Sequence, residues 1–243
     1  MVGAVAGAAW GLWPDSPPAP TVSAAPQRHA SSSPPAVVGT PDAPRPVVEQ
    51  ALRRPTRHHP LVPAAPPTTF RYDGSGYTVR ATVCGMPYVL PLDPPGNQHT
   101  TVCWVKSDFG YPPGSDGKGT TYVLGHSWSR DPLEVLNPVS SRAMAQAIRH
   151  RTAHRIVHRN GIVTYPVTVL NGDVVTLHTK TGVLHYTVRD AYAVSKSHAG
   201  LVHSVMDEHV KNRVLIITCG ENHGIDYHYD VIIEAFLTAA RPS

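Results

Sequence analysis

The chain has 243 residues, of which 16% are charged, and a formal charge of +4. So mild a charge, with no Lys/Arg stripe interleaved with aromatics, excludes nucleic acid as an expected partner. The length suits one sizeable domain with accessories, or two small domains.

Fifteen of the 25 prolines fall in residues 1–69, which sets a boundary near residue 69. Residues 1–13 carry no charged side chain. They are too short for a membrane-spanning helix, which needs about 20 residues, and they lack the positive n-region of a complete signal peptide. They read as the remnant of a signal-anchor or as a signal-peptide h-region, both of which point out of the cytoplasm; an internal apolar element is the alternative. Residues 14–69 are rich in Pro, Ala, Ser and Thr. Such a stretch buries too little apolar surface to offset its ordering entropy, so a disordered or extended spacer is expected. The basic cluster Arg53-Arg-Pro-Thr-Arg-His-His59 belongs to that solvated linker.

From Phe70 the chain changes to short β-like runs with turn punctuation. The expected strands are Tyr77–Val83, Tyr88–Leu92, Thr100–Val105, Thr120–His126, Val163–Leu170, Asp173–Thr179, Leu184–Val194, Val214–Cys219 and Tyr229–Leu237. Asp93-Pro-Pro-Gly96 and Gly110–Gly117 are turns and loops, and Lys180-Thr-Gly182 is a hairpin turn. Ser140 or Ser141 caps a helix from Arg142 to Ile148, with Arg159 as its furthest reach. Many short strands with one or two helices and no βαβ alternation make a mainly β barrel or sandwich.

The three cysteines are Cys84, Cys103 and Cys219. In an exported protein an odd number suggests one pair and one thiol. Cys84 and Cys103 flank the turn-rich Leu92–Asn97, and a hairpin there would bring them within bonding range. The alternative is two reduced core cysteines.

Cys219 closes the branched apolar run Val214–Ile217 and precedes the polar Glu221-Asn222-His223. A thiol at the exposed end of a buried strand is held rigidly while still meeting a substrate, although many cysteines simply fill cores. A nucleophilic cysteine needs a partner that converts it to thiolate, usually a histidine remote in sequence. His126, just after Gly125, also stands at a strand end.

Thr121-Tyr-Val-Leu-Gly-His-Ser127 and Val214-Leu-Ile-Ile-Thr-Cys-Gly220 resemble the two signature stretches of sortases, the cysteine transpeptidases of Gram-positive cell surfaces. Asn171-Gly-Asp-Val-Val-Thr176 is similar to the family's Gly-Asp strand opening, Leu184-His-Tyr-Thr-Val188 to the strand after it, and Tyr229-Asp-Val-Ile-Ile233 to its exit strand. The resemblance spans residues 70–240 and is nearest to the actinobacterial class E and class F groups. It implies a closed eight-stranded β-barrel with short helices, no cofactor, a monomer, and an extracytoplasmic place at the membrane or wall. Cys219 would attack the Thr-Gly bond of a signal similar to Leu-Pro-x-Thr-Gly, and His126 would protonate the leaving amine and deprotonate the incoming one. Peptide sorting signals and a peptidoglycan or pilin amine would be the partners. Thr218 would position substrate.

The chain departs from the family in one respect. Sortases carry an arginine on the strand after the cysteine, and residues 220–240 contain none. Aligning the apolar run Val231-Ile-Ile233 puts His228 at or near that position, with Asn222 as an uncharged donor. Two rival readings stand beside this one. Cys219 with His223 and His228, or His150, His154 and His158 at helical spacing, offer zinc-type ligands. Arg151, Arg155 and Arg159 run beside the second set and oppose a dication, so no metal is expected. The other rival is a sortase-like barrel of impaired catalysis that serves as a surface binding module. The Ser-x-Gly-Cys signature of an L,D-transpeptidase is absent.

Overall fold

The structure is a computed structural model that describes residues 60–89, 92–106, 109–128, 131, 133–150, 154–223 and 225–243, with the Asp226 side chain omitted. The expected export segment, residues 1–13, and residues 14–59 of the expected spacer lie outside them. Residues 60–69 are described: Val62 and Ala65 are buried, and the first strand already opens at Pro67.

Ten strands form one sheet: β1 Pro67–Gly74, β2 Tyr77–Met86, β3 Thr101–Val105, β4 Thr120–Gly125, β5 Ile156–Val157, β6 Val163–Pro166, β7 Val174–Thr179, β8 Gly182–Ser195, β9 Arg213–Asn222 and β10 Ile225–Pro242. The order β10-β9-β4-β3-β2-β1-β7-β8 returns to β10 through a β8–β10 pairing, which closes eight strands into a barrel. The expected fold class, mainly β with a closed eight-stranded barrel, is what the structure has. β6 pairs with the far half of β8, and β5 pairs with β6.

Alternation along the strands sorts apolar side chains onto two faces. Phe70, Val79, Val102, Val123, Ile216 and Ile233 belong to a core to which every strand of the ring contributes. Helix α1, Asn137–His150, adds Val139, Ala143, Met144 and Ala147 at helical spacing. The opposite face of β4, β9, β10 and β8 carries Tyr122, Leu124, Leu215, Ile217, Ile232 and Val194, covered by Val202 and Val205. β9 is therefore apolar on both sides, as its unbroken Val-Leu-Ile-Ile run requires.

Several boundaries differ from the sequence expectation. The helix begins at Asn137, with Pro138 at a first-turn position where its missing N–H costs nothing. It ends at His150 and does not reach Arg159. Tyr88 is not in a strand; it lines a cavity, as does Leu92. The expected strand Val163–Leu170 stops at Pro166, which cannot donate to the ladder, and continues as a 3-10 turn over Thr168–Leu170.

The Cys84–Cys103 disulfide is present, with Cα atoms 4.4 Å apart. It does not close a hairpin. β2 and β3 pair in parallel, with Cys84 directly opposite Cys103. Parallel neighbours need a long crossover, and residues 87–100 supply it.

Candidate active site

The strand registers bring the candidate residues together. β4 and β9 run parallel with Leu124 opposite Ile217. Two residues further, on the same face, stand His126 and Cys219. On the other side of β9, Cys219 pairs with Asp230 of β10, which pairs with Val194 of β8. One row across four strands thus reads His126, Cys219, Asp230, Val194, above a second row of Leu124, Ile217, Ile232 and Tyr192. His126, Cys219 and Asp230 of the first row and Leu124 and Ile217 of the second line a cavity of about 720 Å³, together with Tyr88, Leu92 and Met206. Cys219 keeps its thiol and is half-buried.

Two glycines let the surroundings close on these residues. A Cβ on Gly125, beside His126, would stand 2.7 Å from Leu136 Cδ1; one on Gly220, beside Cys219, would stand 2.9 Å from both Met144 Sδ and the Tyr229 carbonyl oxygen. The sequences Gly-His and Cys-Gly therefore reflect close packing of Leu136 and α1 on the two strand ends.

His126 is fixed from several sides. Its carbonyl accepts from Leu136 N at 2.9 Å. Its Nε2 stands 2.9 Å from the Pro94 carbonyl oxygen and 3.6 Å from Asp93 Oδ1. A carbonyl only accepts, so Nε2 carries the proton, and in the neutral ring Nδ1 is the basic nitrogen. Asp93 itself is 81% exposed, which leaves it a weak partner beside the carbonyl.

The backbone at Cys219 is held by α1. Ser140, fully buried, donates its hydroxyl to the Cys219 carbonyl at 2.6 Å and accepts from Glu221 N at 3.0 Å. Ser141 donates to Glu221 Oε1. Sequence reading casts Ser140 and Ser141 only as helix caps, because nothing local links residue 140 to residue 219.

Thr218 is 3% exposed, and its hydroxyl donates to the Gly125 carbonyl at 2.8 Å. The hydroxyl thus ties the Cys219 strand to the residue before His126. Asn222 is half-buried at the end of β9, paired with Ile225, and is not among the lining residues.

His228 is exposed, with φ 55°, and it too is absent from the lining. The register between β9 and β10 shifts between Asp226 and Tyr229, and the residues of this bulge have no partner position on β9. That shift makes Asp230, not His228, the residue directly across from the thiol. The residue of β10 in the thiol's row thus carries a carboxyl group.

Of the histidines at helical spacing, His154 follows α1 with its ring 5.2 Å from that of His150, while His158 Nε2 bonds Thr164 Oγ1 at 2.9 Å. His223 and His228 are both exposed beyond the cavity. Among the described residues, no three His, Cys, Asp or Glu side chains converge as metal ligands.

Barrel and site together define a closed β-barrel with a thiol and an imidazole at adjacent strand ends in one cavity. No protein-family model matches the chain, and no curated protein matches its sequence. Among solved structures the chain is similar to sortase A of Listeria monocytogenes, at 15% identity over 73% of this chain and 90% of that one, with a TM-score of 0.43. It is similar to sortase E1 of Streptomyces coelicolor, solved with a tripeptide in the active site, at 15% identity over 74% and 94%, TM-score 0.42. Sortase C-1 of Actinomyces oris matches at 12% identity over 70% and 73%, TM-score 0.43.

Proposed function

We propose that the chain is a sortase-type cysteine transpeptidase that acts on peptide sorting signals at the cell surface. One observation carries the reading: Cys219 and His126 project from neighbouring strand ends into the same cavity, with the thiol left out of the disulfide. The signature stretches of the sequence, which resemble those of sortases, supply the choice of reaction.

The chemistry runs in two halves. The Cys219 thiolate attacks a peptide carbonyl carbon, the C–N bond breaks, and a thioester forms while His126 gives its proton to the leaving amine. An incoming amine then loses a proton to His126 and attacks the thioester. An amide forms and the sulfur leaves as thiolate. A signal similar to Leu-Pro-x-Thr-Gly as donor and a peptidoglycan or pilin amine as acceptor follow from the sequence resemblance. So do a monomeric enzyme and an extracytoplasmic location, with which the reading of residues 1–13 as signal or anchor, from their uncharged apolar character, and of the Pro-rich stretch as spacer, from its composition, agrees. No helix among the described residues is long and apolar enough to cross a membrane.

Asp230 favours a second reading. A carboxylate in the thiol's own row opposes negative charge on the reacting oxygen, as a barrel that binds sorting peptides without turning them over would tolerate. Incubating residues 60–243 with fluorogenic sorting-type peptides and a glycine nucleophile separates the two. The enzyme reading expects cleavage and a peptidyl adduct on Cys219, both lost in Cys219→Ala and His126→Ala. Tight peptide binding without adduct would leave the binding module.

A further inference from the structure

We infer that Lys196 is the cation that meets the reacting carbonyl oxygen over Cys219, a role that rests on the acyl-transfer reading above. Acyl transfer to a thiolate gathers negative charge on the carbonyl oxygen, and donors aimed at that oxygen are the largest single aid such a site gives. The cavity's own inventory narrows the choice. Among the described residues, Lys196 is the only Lys or Arg that lines the cavity. The Tyr122 hydroxyl is given to Val205 O at 2.7 Å and that of Thr218 to Gly125 O at 2.8 Å. His126 is the proton carrier of the reaction. Asp93 and Asp230 bring only negative charge.

The fold gives Lys196 the right face and reach. Tyr192 and Val194 of β8 stand in the rows of Ile232 and Asp230, and Lys196, in the turn just past the end of β8 at Ser195, lines the cavity. Its N–H donates to the His228 carbonyl at 3.1 Å, and His198 N donates to Ser195 O at 2.8 Å. The backbone at the strand end is therefore fixed while the side chain is exposed. β8 and β9 flank β10, so they stand about 10 Å apart at ordinary strand spacing. A lysine's flexible four-carbon stem spans the intervening strand and sets its ammonium above Asp230, beside a carbonyl lying over Cys219. The placement also accounts for Asp230: a carboxylate in the thiol's row is tolerable when an ammonium shares its space, and it holds that ammonium toward the thiol.

The test uses two readouts on Lys196→Met, Lys196→Arg and the exposed control Lys211→Met. The first is alkylation of Cys219 by iodoacetate and by iodoacetamide, which needs no peptide. A cation near sulfur speeds the anionic reagent relative to the neutral one, so Lys196→Met is expected to lower that ratio severalfold, while Lys196→Arg and Lys211→Met keep it. The second is peptide cleavage, where Lys196→Met is expected to lower kcat about 10- to 100-fold with KM little changed, and Lys196→Arg to keep most of the rate. An unchanged alkylation ratio in Lys196→Met overturns the placement of Lys196, and an unchanged kcat overturns its role on the carbonyl. Absence of cleavage by the wild type overturns the transpeptidase reading and the role with it, while the alkylation ratio still decides the placement.

Discussion

The carbonyl oxygen of Pro94 accepts from Nε2 of His126 at 2.9 Å, so a loop 32 residues earlier in the chain sets the tautomer of the site histidine. That loop belongs to the crossover between β2 and β3, and the Cys84–Cys103 disulfide bridges the two strands it joins. Replacing both cysteines by serine removes a cross-link over a separation of 19 residues. The expected loss is about 3 kcal/mol in the chain-entropy account, or roughly a 6–12 °C fall in Tm for a domain of this size. Peptide turnover is expected to fall as well, since the Pro94 carbonyl no longer holds the ring. Thermal melts and kcat of the double variant check both, and a Tm within 2 °C of wild type would sink the structural part.

Ser140 is the link between α1 and the thiol's backbone. Ser140→Ala leaves the Cys219 carbonyl and the Glu221 N–H without their shared hydroxyl partner in a fully buried place. The expected cost is about 1–3 kcal/mol. Because the freed carbonyl is that of Cys219, the alkylation rate of the thiol should also change. Urea titration and iodoacetamide kinetics read the two effects separately.

For Thr218, the hydroxyl's engagement with Gly125 O predicts a strand-clamping role. Thr218→Ser keeps the donor and is expected to stay within about 0.5 kcal/mol of wild type, whereas the similar-volume Thr218→Val buries an unmet carbonyl and costs about 1–3 kcal/mol. A stability loss in Thr218→Val equal to that in Thr218→Ser would contradict the clamp. A KM effect in Thr218→Ser would point to substrate contact instead.

How much of this was legible in the sequence depends on the range of each interaction. Cys219 and His126 stood out because a strand that ends in a reactive side chain is a local pattern, and the eight-stranded barrel followed from many short runs together with the resemblance. The disulfide was legible from cysteine count and export context, but its geometry was not, since an antiparallel hairpin and a parallel crossover of similar length look alike in one dimension. Asp230 was missed for the same kind of reason. Its place opposite Cys219 depends on a register shift at residues 227 and 228, and a histidine such as His228, φ 55°, although enriched among left-handed non-glycine residues, occurs far too often elsewhere to mark a bulge in sequence. Ser140 and Pro94 act through contacts 79 and 32 residues away, beyond any periodicity.

Arg213 anchors the start of the strand that carries Cys219. It is 3% exposed and donates through Nη1 to Glu234 Oε2 at 3.0 Å, through Nε to Thr120 Oγ1 at 3.0 Å, and through Nη2 to the Asp207 carbonyl at 2.5 Å. Removing one member of a buried pair strands the other charge, so Arg213→Met is expected to cost about 3–5 kcal/mol. Replacing both, as Arg213→Met with Glu234→Leu, should recover much of that loss. A double variant that loses the sum of the two single losses would show that the pair does not act as a unit.

Glu134 gives a prediction with a definite pH sign. The residue is 2% exposed, and its Oε2 has no hydrogen-bond partner among the described residues. Burial raises its carboxyl above the ordinary glutamate range, and the neighbouring imidazole of His126 offsets only part of that rise. Below the ordinary value, near 4.5, both folded and unfolded chains hold the proton and the group adds no pH dependence. As pH rises past it, the unfolded chain ionises first while the folded chain still binds the proton. Ionisation then favours unfolding, and the penalty is complete once pH exceeds the raised folded value. Glu134→Gln has no such penalty. Its stability relative to wild type should therefore be higher at pH 7.5 than at pH 4.0, whatever constant offset the new amide introduces. Urea midpoints of both proteins at the two pH values measure this directly, and a relative stability that stays flat or falls with pH would show that Glu134 is not a carboxyl raised by burial.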